Sequence, residues 1–173
     1  MEMEMKENLA GRKLSSSEQM NSLRYTFRIL NHFMVFMWKI GMGKMLNLWP
    51  AVGGRIMVIK HTGRKSGRIL YAPVNYAEED GEVYCTAGFG TITDWYRNLM
   101  AKPEVELWLP NGNRKVKAKD ISDSVQRLHL LRIVLIASGF AAWLFGGFDP
   151  KKIDDSALNK LTSDYRLINS PEK

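Results

Sequence analysis

From Met20 to about Met45 the apolar residues recur three or four apart. Leu23, Phe27, Leu30, Met34 and the Met37-Trp38 pair set the rhythm, with Arg24, Arg28 and Lys39 beside them. That spacing predicts an amphipathic helix packing a Met/Phe stripe on a core, with contact to a membrane surface as its sharper alternative. Gly41, Gly43, Pro50 and Gly53-Gly54 end it. The period then changes to two. Ile56 and Val58 mark a buried strand ending at His61-Thr62-Gly63. A second strand, Ile69 to Tyr76, is broken at Pro73, which fits an edge or a bulge. Glu79-Asp80-Gly81 turns the chain into a third, Val83 to Ala87. Beyond a loop opened by Gly88 and Gly90, Thr93 or Asp94 caps a short helix, Trp95 to Ala101, stopped by Pro103. Val105, Leu107 and Leu109 alternate with polar neighbours as a half-buried strand, and Asn111-Gly112 predicts a two-residue hairpin into Lys115–Lys119. From Asp120 to roughly Trp143 the pattern is helical, weakened or bent at Gly139. A helical turn over Ala157–Leu161 and a last short strand, Tyr165–Ile168, complete the series.

The predicted class is therefore α+β and mainly β: about six short strands, mostly joined by hairpins, with N-terminal, middle and C-terminal helices packed on them. A small antiparallel barrel suits this set, because closure hides strand edges. A doubly wound α/β fold does not, since β-α-β alternation is missing. The 173 residues suffice for one domain with a real core. The expected organisation is a flexible arm over 1–19 followed by one domain over 20–173.

Composition narrows the chemistry. One cysteine, Cys85, excludes an internal disulfide framework, and its apolar strand makes an inert thiol. His32, His61 and His129 lie in separate segments without ligand spacing, so no metal site is expected. His61 is expected to satisfy a strand end rather than transfer a proton. Met1 to Glu7 lacks the order of a signal peptide, and the uncharged stretch from Ile133 to Phe148 is broken by glycines and falls short of a membrane span. A cytoplasmic protein is expected, with at most weak peripheral membrane contact through the N-terminal helix. The net charge of +7 is unevenly spread. Between Gln19 and Ala77 there is no Asp or Glu, but there are nine basic residues, Arg24, Arg28, Lys39, Lys44, Arg55, Lys60, Arg64, Lys65 and Arg68. Such a field suits an anionic partner: a phosphate-bearing small molecule, an anionic lipid surface or nucleic acid. The aromatics are not interleaved with the cations as nucleic-acid stacking requires, so that partner is set aside.

The stretch that carries chemistry is His61-Thr62-Gly63-Arg64-Lys65-Ser66-Gly67-Arg68. Two glycines frame adjacent cations and a hydroxyl. Glycines let a turn present its backbone N–H groups to phosphate, Arg64 supplies a planar fork, Lys65 a point charge and Ser66 a further hydrogen bond. A solvated basic hairpin turn has the same composition. A Walker A loop does not, because its glycine-lysine order is absent and no helix follows.

Thr62–Gly67, followed by Pro73, resembles the signature of the deazaflavin (F420)-dependent nitroreductase family. A second block agrees in order and spacing: Ala87-Gly88-Phe89-Gly90, then Asp94-Trp95-Tyr96-Arg97-Asn98-Leu99, then Ala101-Lys102-Pro103. The resemblance spans roughly residues 54–120 and implies a split β-barrel related to flavin-nucleotide-binding oxidases. It makes 54–120 a coenzyme-binding core, 20–45 the N-terminal helix, and 121–173 a C-terminal helical lid with the last strand. It further implies coenzyme F420, or alternatively FMN, with Arg64, Lys65, Ser66, Gly67 and Arg68 on its phosphate or acidic tail. Pro73, Asn75 and the Ala87, Gly88, Phe89, Gly90 loop would line the ring system, and Trp95, Tyr96 and Asn98 would anchor the closing helix. The chain departs from the family pattern near Leu70, at Phe89 and in the short loop before Trp95, where a proline is usual.

The function so implied is hydride transfer from reduced F420 to a planar small-molecule acceptor: a quinone, a nitroaromatic or an activated enone. Hydride chemistry would reside in the coenzyme, which accords with the lack of an acid–base dyad in the chain. A non-catalytic binding or carrier protein for a flavin-like, haem-like or lipophilic ligand would share the same residues, and an FMN-dependent oxidoreductase is a further alternative. Phe140, Trp143 and Tyr165 are the candidate substrate residues, the first two in a glycine-interrupted aromatic stretch that reads as core or as a lid, and Tyr165 or water as proton donor. Either a monomer or a homodimer is compatible with the sequence.

Overall fold

The computed structural model describes residues 29–48, 53–140 and 147–171. Helix α1 covers residues 29–39, and Gly41, at φ +80°, turns the chain into a 3-10 turn over Gly43–Asn47. The helix thus ends before Met45, because the glycine takes a left-handed conformation that costs other residues strain. Among the described residues these elements follow: β1 (Ile56–Thr62), β2 (Ile69–Glu79), β3 (Glu82–Ala87), α2 (Asp94–Ala101), β4 (Glu104–Leu109), β5 (Gly112–Lys117), β6 (Lys119–Asp120), α3 (Arg127–Ala137), α4 (Asp155–Leu161) and β7 (Arg166–Ser170).

All strand pairs are antiparallel, in the order β5-β4-β1-β2-β3-β7-β6. The two edge strands, β5 and β6, are separated by Ala118 alone, so the sheet must curl until its edges nearly meet. The result is a nearly closed, split β-barrel. Ala118 donates its N–H to the Pro103 carbonyl at 2.9 Å and pins the seam. The seventh strand, β6, lies where helix was expected. There the Asp120 carboxylate accepts the Ser122 N–H at 2.8 Å, a local turn that competes with helical hydrogen bonding and delays α3 to Arg127. Gly139, at φ +60°, follows the cap residue Ser138 and ends that helix rather than bending it. The β4–β5 hairpin is also shifted by one from expectation. Leu109 faces Gly112, so the turn residues are Pro110 and Asn111, with the fixed φ of proline favouring that placement.

The barrel interior is apolar: Met57, Ile59, Tyr76, Cys85, Leu99, Leu107 and Ile168 lie in one buried cluster. Burial alone pushes the Cys85 thiol up to about 12, which leaves it protonated and inert. On the outer face, α3 packs Leu130 and Val134 against Ala77, Tyr84 and Leu167. Helix α1 meets β2 farther along its outer face, where the Lys39 ammonium sits 4.6 Å from the centroid of Tyr71.

Strand β2 determines where the barrel opens. Its residues 69–75 pair with β1, and only residues 76–79 pair with β3. Beyond the Tyr76–Cys85 pair the strands part, leaving one side of residues 69–75 without a ladder partner among the described residues. Pro73 sits in that half, aligned with Val58, where a missing N–H on the open side breaks nothing.

Candidate functional site

The basic turn, the open half of β2 and the loop after β3 converge at this split. The Gly63 N–H donates to the Arg68 carbonyl, and the Gly67 N–H donates to the Gly63 carbonyl, at 2.8 and 2.9 Å. Gly67 has φ +66° and faces open space, so the turn depends on its glycine for conformation rather than for room. Lys65, Ser66, Gly67 and Arg68 are exposed. The Ser66 hydroxyl accepts from the Arg68 N–H at 3.3 Å.

Arg64 is held differently from its neighbours. Its backbone N–H and its guanidinium both donate to the Asn98 side-chain oxygen, at 3.1 and 2.9 Å. A second guanidinium nitrogen donates to the Asp94 carboxylate at 3.0 Å. Asn98 is buried on α2, whereas Asp94, the first residue of that helix, is 83% exposed at its side chain. These bonds fasten the basic turn to the start of α2. Asp94 is thereby an ion-pair partner; Thr93 occupies the cap position, without a capping hydrogen bond from its side chain.

The loop before α2 forms the other bank. The Arg97 guanidinium donates to the Thr91 carbonyl at 2.6 Å, and the Thr93 N–H to the Gly90 carbonyl at 3.2 Å. Gly90 has φ +60°, and a β-carbon there would run into the Asp164 backbone oxygen. Behind Gly88 lies the Tyr165 ring, 3.7 Å from where a β-carbon would stand. That ring also packs against the Leu131–Leu135–Leu158 cluster, and burial raises its phenol above the ordinary range. Exposed apolar side chains mark both banks, Leu70 on β2 and Phe89 and Ile92 on the loop, the last two 75% and 69% exposed.

The structure therefore brings Arg64, Lys65, Ser66, Gly67 and Arg68 together with Asn98, and sets Gly88 and Phe89 on the adjoining loop. It places other candidates elsewhere. Ala87 points into the barrel core. Tyr96 is buried and turns its hydroxyl to the Asp120 carboxylate at 2.5 Å, tying α2 to the seam, and burial followed by that carboxylate pushes the phenol up to about 12. Trp95 packs against the core from its rim. Asn75 donates to the Arg55 carbonyl at 3.2 Å and crowds Gly54, while Pro73 lies on the sheet's outer face in register with Val58. Phe140 is half-exposed just beyond α3, and Trp143 lies outside the described residues. His61 lies next to the end of β1. It is buried in an inward position of β1, its Nδ1 has no hydrogen-bond partner among the described residues, and burial lowers its pKa against the smaller, raising effect of a hydrogen bond to the Thr62 backbone. Asp94 and Arg97 were missed as site residues. Asp94 read as a helix cap, and its partner lies 30 residues away.

A family model described as F420H(2)-dependent quinone reductase matches residues 34–142. Among solved structures, one described as a domain-swapped dimer is 20% identical, covering 68% of this chain and 80% of its own, with a TM-score of 0.50. The F420-H2 dependent reductase FDR-A is 20% identical, covering 68% and 94% respectively, at a TM-score of 0.47. The conserved hypothetical protein Rv2991 from Mycobacterium tuberculosis is 13% identical over 75% of this chain and 79% of its own, at 0.49. At 20% identity the likeness to the first of these is one of fold alone. No curated protein matches the chain.

Proposed function

This chain belongs to the F420H(2)-dependent quinone reductase family, and from that premise we propose that it reduces a planar acceptor with reduced F420. Quinones, nitroaromatics and activated enones are the acceptors that such a site suits. The observation that carries the proposal is the meeting of an exposed basic turn and an apolar-banked opening at the barrel split.

The residues present fit the coenzyme. Lys65, Arg68 and Ser66 stand exposed on a glycine-framed turn, a donor set suited to a phosphate and acidic tail. Leu70, Phe89 and Ile92 offer exposed apolar surface to a planar ring system. When bound, the coenzyme supplies the hydride. The protein's share is to hold the tail at Lys65, Ser66 and Arg68, to keep the turn in place through Asn98, and to exclude water from the opening. The Tyr165 hydroxyl, 3.9 Å from where a Gly88 β-carbon would stand, is the candidate donor to the reduced acceptor by its position, although burial makes its phenol a weaker acid.

We propose in addition a cytoplasmic protein with weak peripheral contact to anionic membrane surfaces through the N-terminal helix. Among the described residues no helix is long and apolar enough to cross a membrane. Attachment through α1 is supported by its exposed residues Ile29, Phe33 and Phe36, by Ile40 just past its end, and by the acid-free segment around it.

The test is a pair of fluorescence titrations, with oxidised F420 and with FMN, followed by turnover of a soluble quinone with reduced F420. Tight F420 binding with turnover is the expected result. Tighter binding of FMN would move the protein to the flavin-dependent oxidoreductases, and binding without turnover to the carriers.

A further inference from the structure

Asp94 stands in an unusual relation to the basic turn. The nine cations between Gln19 and Ala77 have no carboxylate in their own stretch of sequence; Lys60 finds Glu106 on β4, and Arg64, in the turn itself, finds Asp94 on the next helix. Two kinds of contact hold its guanidinium. The contact to Asn98 is sheltered: Asn98 is 3% exposed and its oxygen receives both the Arg64 backbone and side chain. The contact to Asp94 is one hydrogen bond to a carboxylate almost wholly in solvent, beside a longer one of 3.4 Å to the Asp94 backbone carbonyl that stays in place when the side chain moves. Exposed one-point ion pairs of this kind contribute little and exchange readily. The carboxylate nonetheless presents to the guanidinium the same oxygen-anion chemistry that a phosphate would.

We infer that Asp94 is an internal anion gate: its carboxylate occupies the Arg64 fork while the site is empty and is displaced by the incoming anion of the ligand. Asn98 keeps Arg64 in position throughout, so the exchange moves one exposed side chain and leaves the turn where it is. The displaced carboxylate then lies beside the bound anion and weakens its hold. Asp94 thus sets the affinity and the release rate of the anionic ligand, and Arg64 becomes a contact that only a group able to outcompete a carboxylate can claim. A phosphate that engages both arms of the guanidinium can do so, since Asp94 holds only one, and a carboxylate that also holds one gains nothing by the exchange. The gate rests on the assignment of this turn to an anionic coenzyme tail, although its geometry does not depend on which coenzyme carries the tail.

The experiment is a double-mutant cycle of Asp94→Asn and Arg64→Ala, with melting curves confirming that each variant folds. Three probes are titrated at low and high salt: F420, the same chromophore cut back to its sugar alcohol without phosphate, and inorganic pyrophosphate. Asp94→Asn should tighten F420 and pyrophosphate about two- to five-fold at low salt, the scale of one exposed ion pair. It should leave the phosphate-free chromophore unchanged, and the gain should shrink as salt rises. The gain should vanish in the Arg64→Ala background. A gain that persists without Arg64 shows that Asp94 acts only as a distant repulsive charge and overturns the gate, as does unchanged F420 affinity in Asp94→Asn. If F420 binds to no variant while pyrophosphate shows the coupled gain, the gate stands and the coenzyme assignment falls. If neither probe binds to any variant, both fall.

Discussion

The side-chain oxygen of Asn98 accepts two hydrogen bonds from one residue, from the Arg64 backbone at 3.1 Å and from its guanidinium at 2.9 Å. This makes Asn98 the joint between the basic turn after β1 and the helix that follows the β3 loop. The arrangement is economical because one buried carboxamide fixes both the path of the turn and the direction of its first cation.

Removing that joint should damage both the fold and the site. In Asn98→Ala the Arg64 N–H and guanidinium lose their acceptor in a partly buried place, which costs about 1–3 kcal/mol. For a chain of this size that corresponds to a melting temperature lower by roughly 2–10 °C. Asn98→Asp should recover most of the stability, since an oxygen acceptor returns with a charge complementary to Arg64. Calorimetry on the two variants checks this; equal melting of Asn98→Ala and wild type would show that the turn holds itself.

Lys65 and Arg68 differ from Arg64 in being exposed with no carboxylate partner among the described residues, so their side chains can be removed with little effect on folding. The double variant Lys65→Ala, Arg68→Ala should weaken F420 binding by a few kcal/mol, at about 1.5–3 for each hydrogen bond to a charged group. Its melting temperature should stay within about 2 °C of wild type. Fluorescence titration and thermal melting on the same preparation separate the two effects, and unchanged affinity would take the coenzyme tail away from this turn.

What the sequence made legible follows the range of each interaction. The basic turn is local: Gly63 and Gly67 bracket its cations, and the conformation they permit is the one observed. The barrel was legible from strand alternation and hairpin signals, since β1–β2, β2–β3 and β4–β5 are each contiguous pairs. The seam was not. Apolar spacing continues through Ile121 and Val125 as though a helix had begun, and only the Asp120–Ser122 turn stops it. Nor could the direction of Tyr96 be read, because a two-turn helix offers one face to the core and its hydroxyl finds a partner 24 residues later. Asp94 was hidden for the same reason: residues at a helix start look like caps until a distant guanidinium is seen to take them.

His61 gives the fold a pH dependence of definite sign. Burial holds its imidazole below the ordinary value, so between about 6.5 and the lower folded value the unfolded chain binds more protons than the folded one. Its contribution to stability is fully present above about pH 6.5 and is lost as the pH falls through the folded value. Denaturant unfolding should therefore give lower stability at pH 5 than at pH 7.5. His61→Leu should flatten that slope, and it also removes a buried nitrogen that has no partner among the described residues. Parallel pH curves for the variant and wild type would place the titration on other groups.

The last expectation concerns α1. Ile29, Phe33, Phe36 and Ile40 follow each other at four, three and four residues, one stripe along the helix and into the turn that ends it, and each remains about half exposed, between 49% and 57%. Lys39 on the same helix is turned to the Tyr71 ring, so this stripe is not the side that meets the sheet there. An apolar stripe within a segment free of carboxylates is suited to the boundary of an anionic bilayer, where aromatic rings enter the interface and nothing nearby repels the headgroups. Burying two phenylalanines should contribute about 3 kcal/mol or more, so Phe33→Glu with Phe36→Glu should weaken vesicle binding by at least roughly a hundredfold. Both side chains are half-exposed, so melting temperature and turnover of a soluble quinone should be preserved. Co-sedimentation with phosphatidylglycerol vesicles, and with neutral phosphatidylcholine vesicles for comparison, provides the measurement. Wild type should bind the anionic vesicles in a salt-sensitive manner and the neutral ones weakly. Wild type that stays in the supernatant with both, or a double variant that sediments as wild type does, would assign the stripe to a protein contact instead.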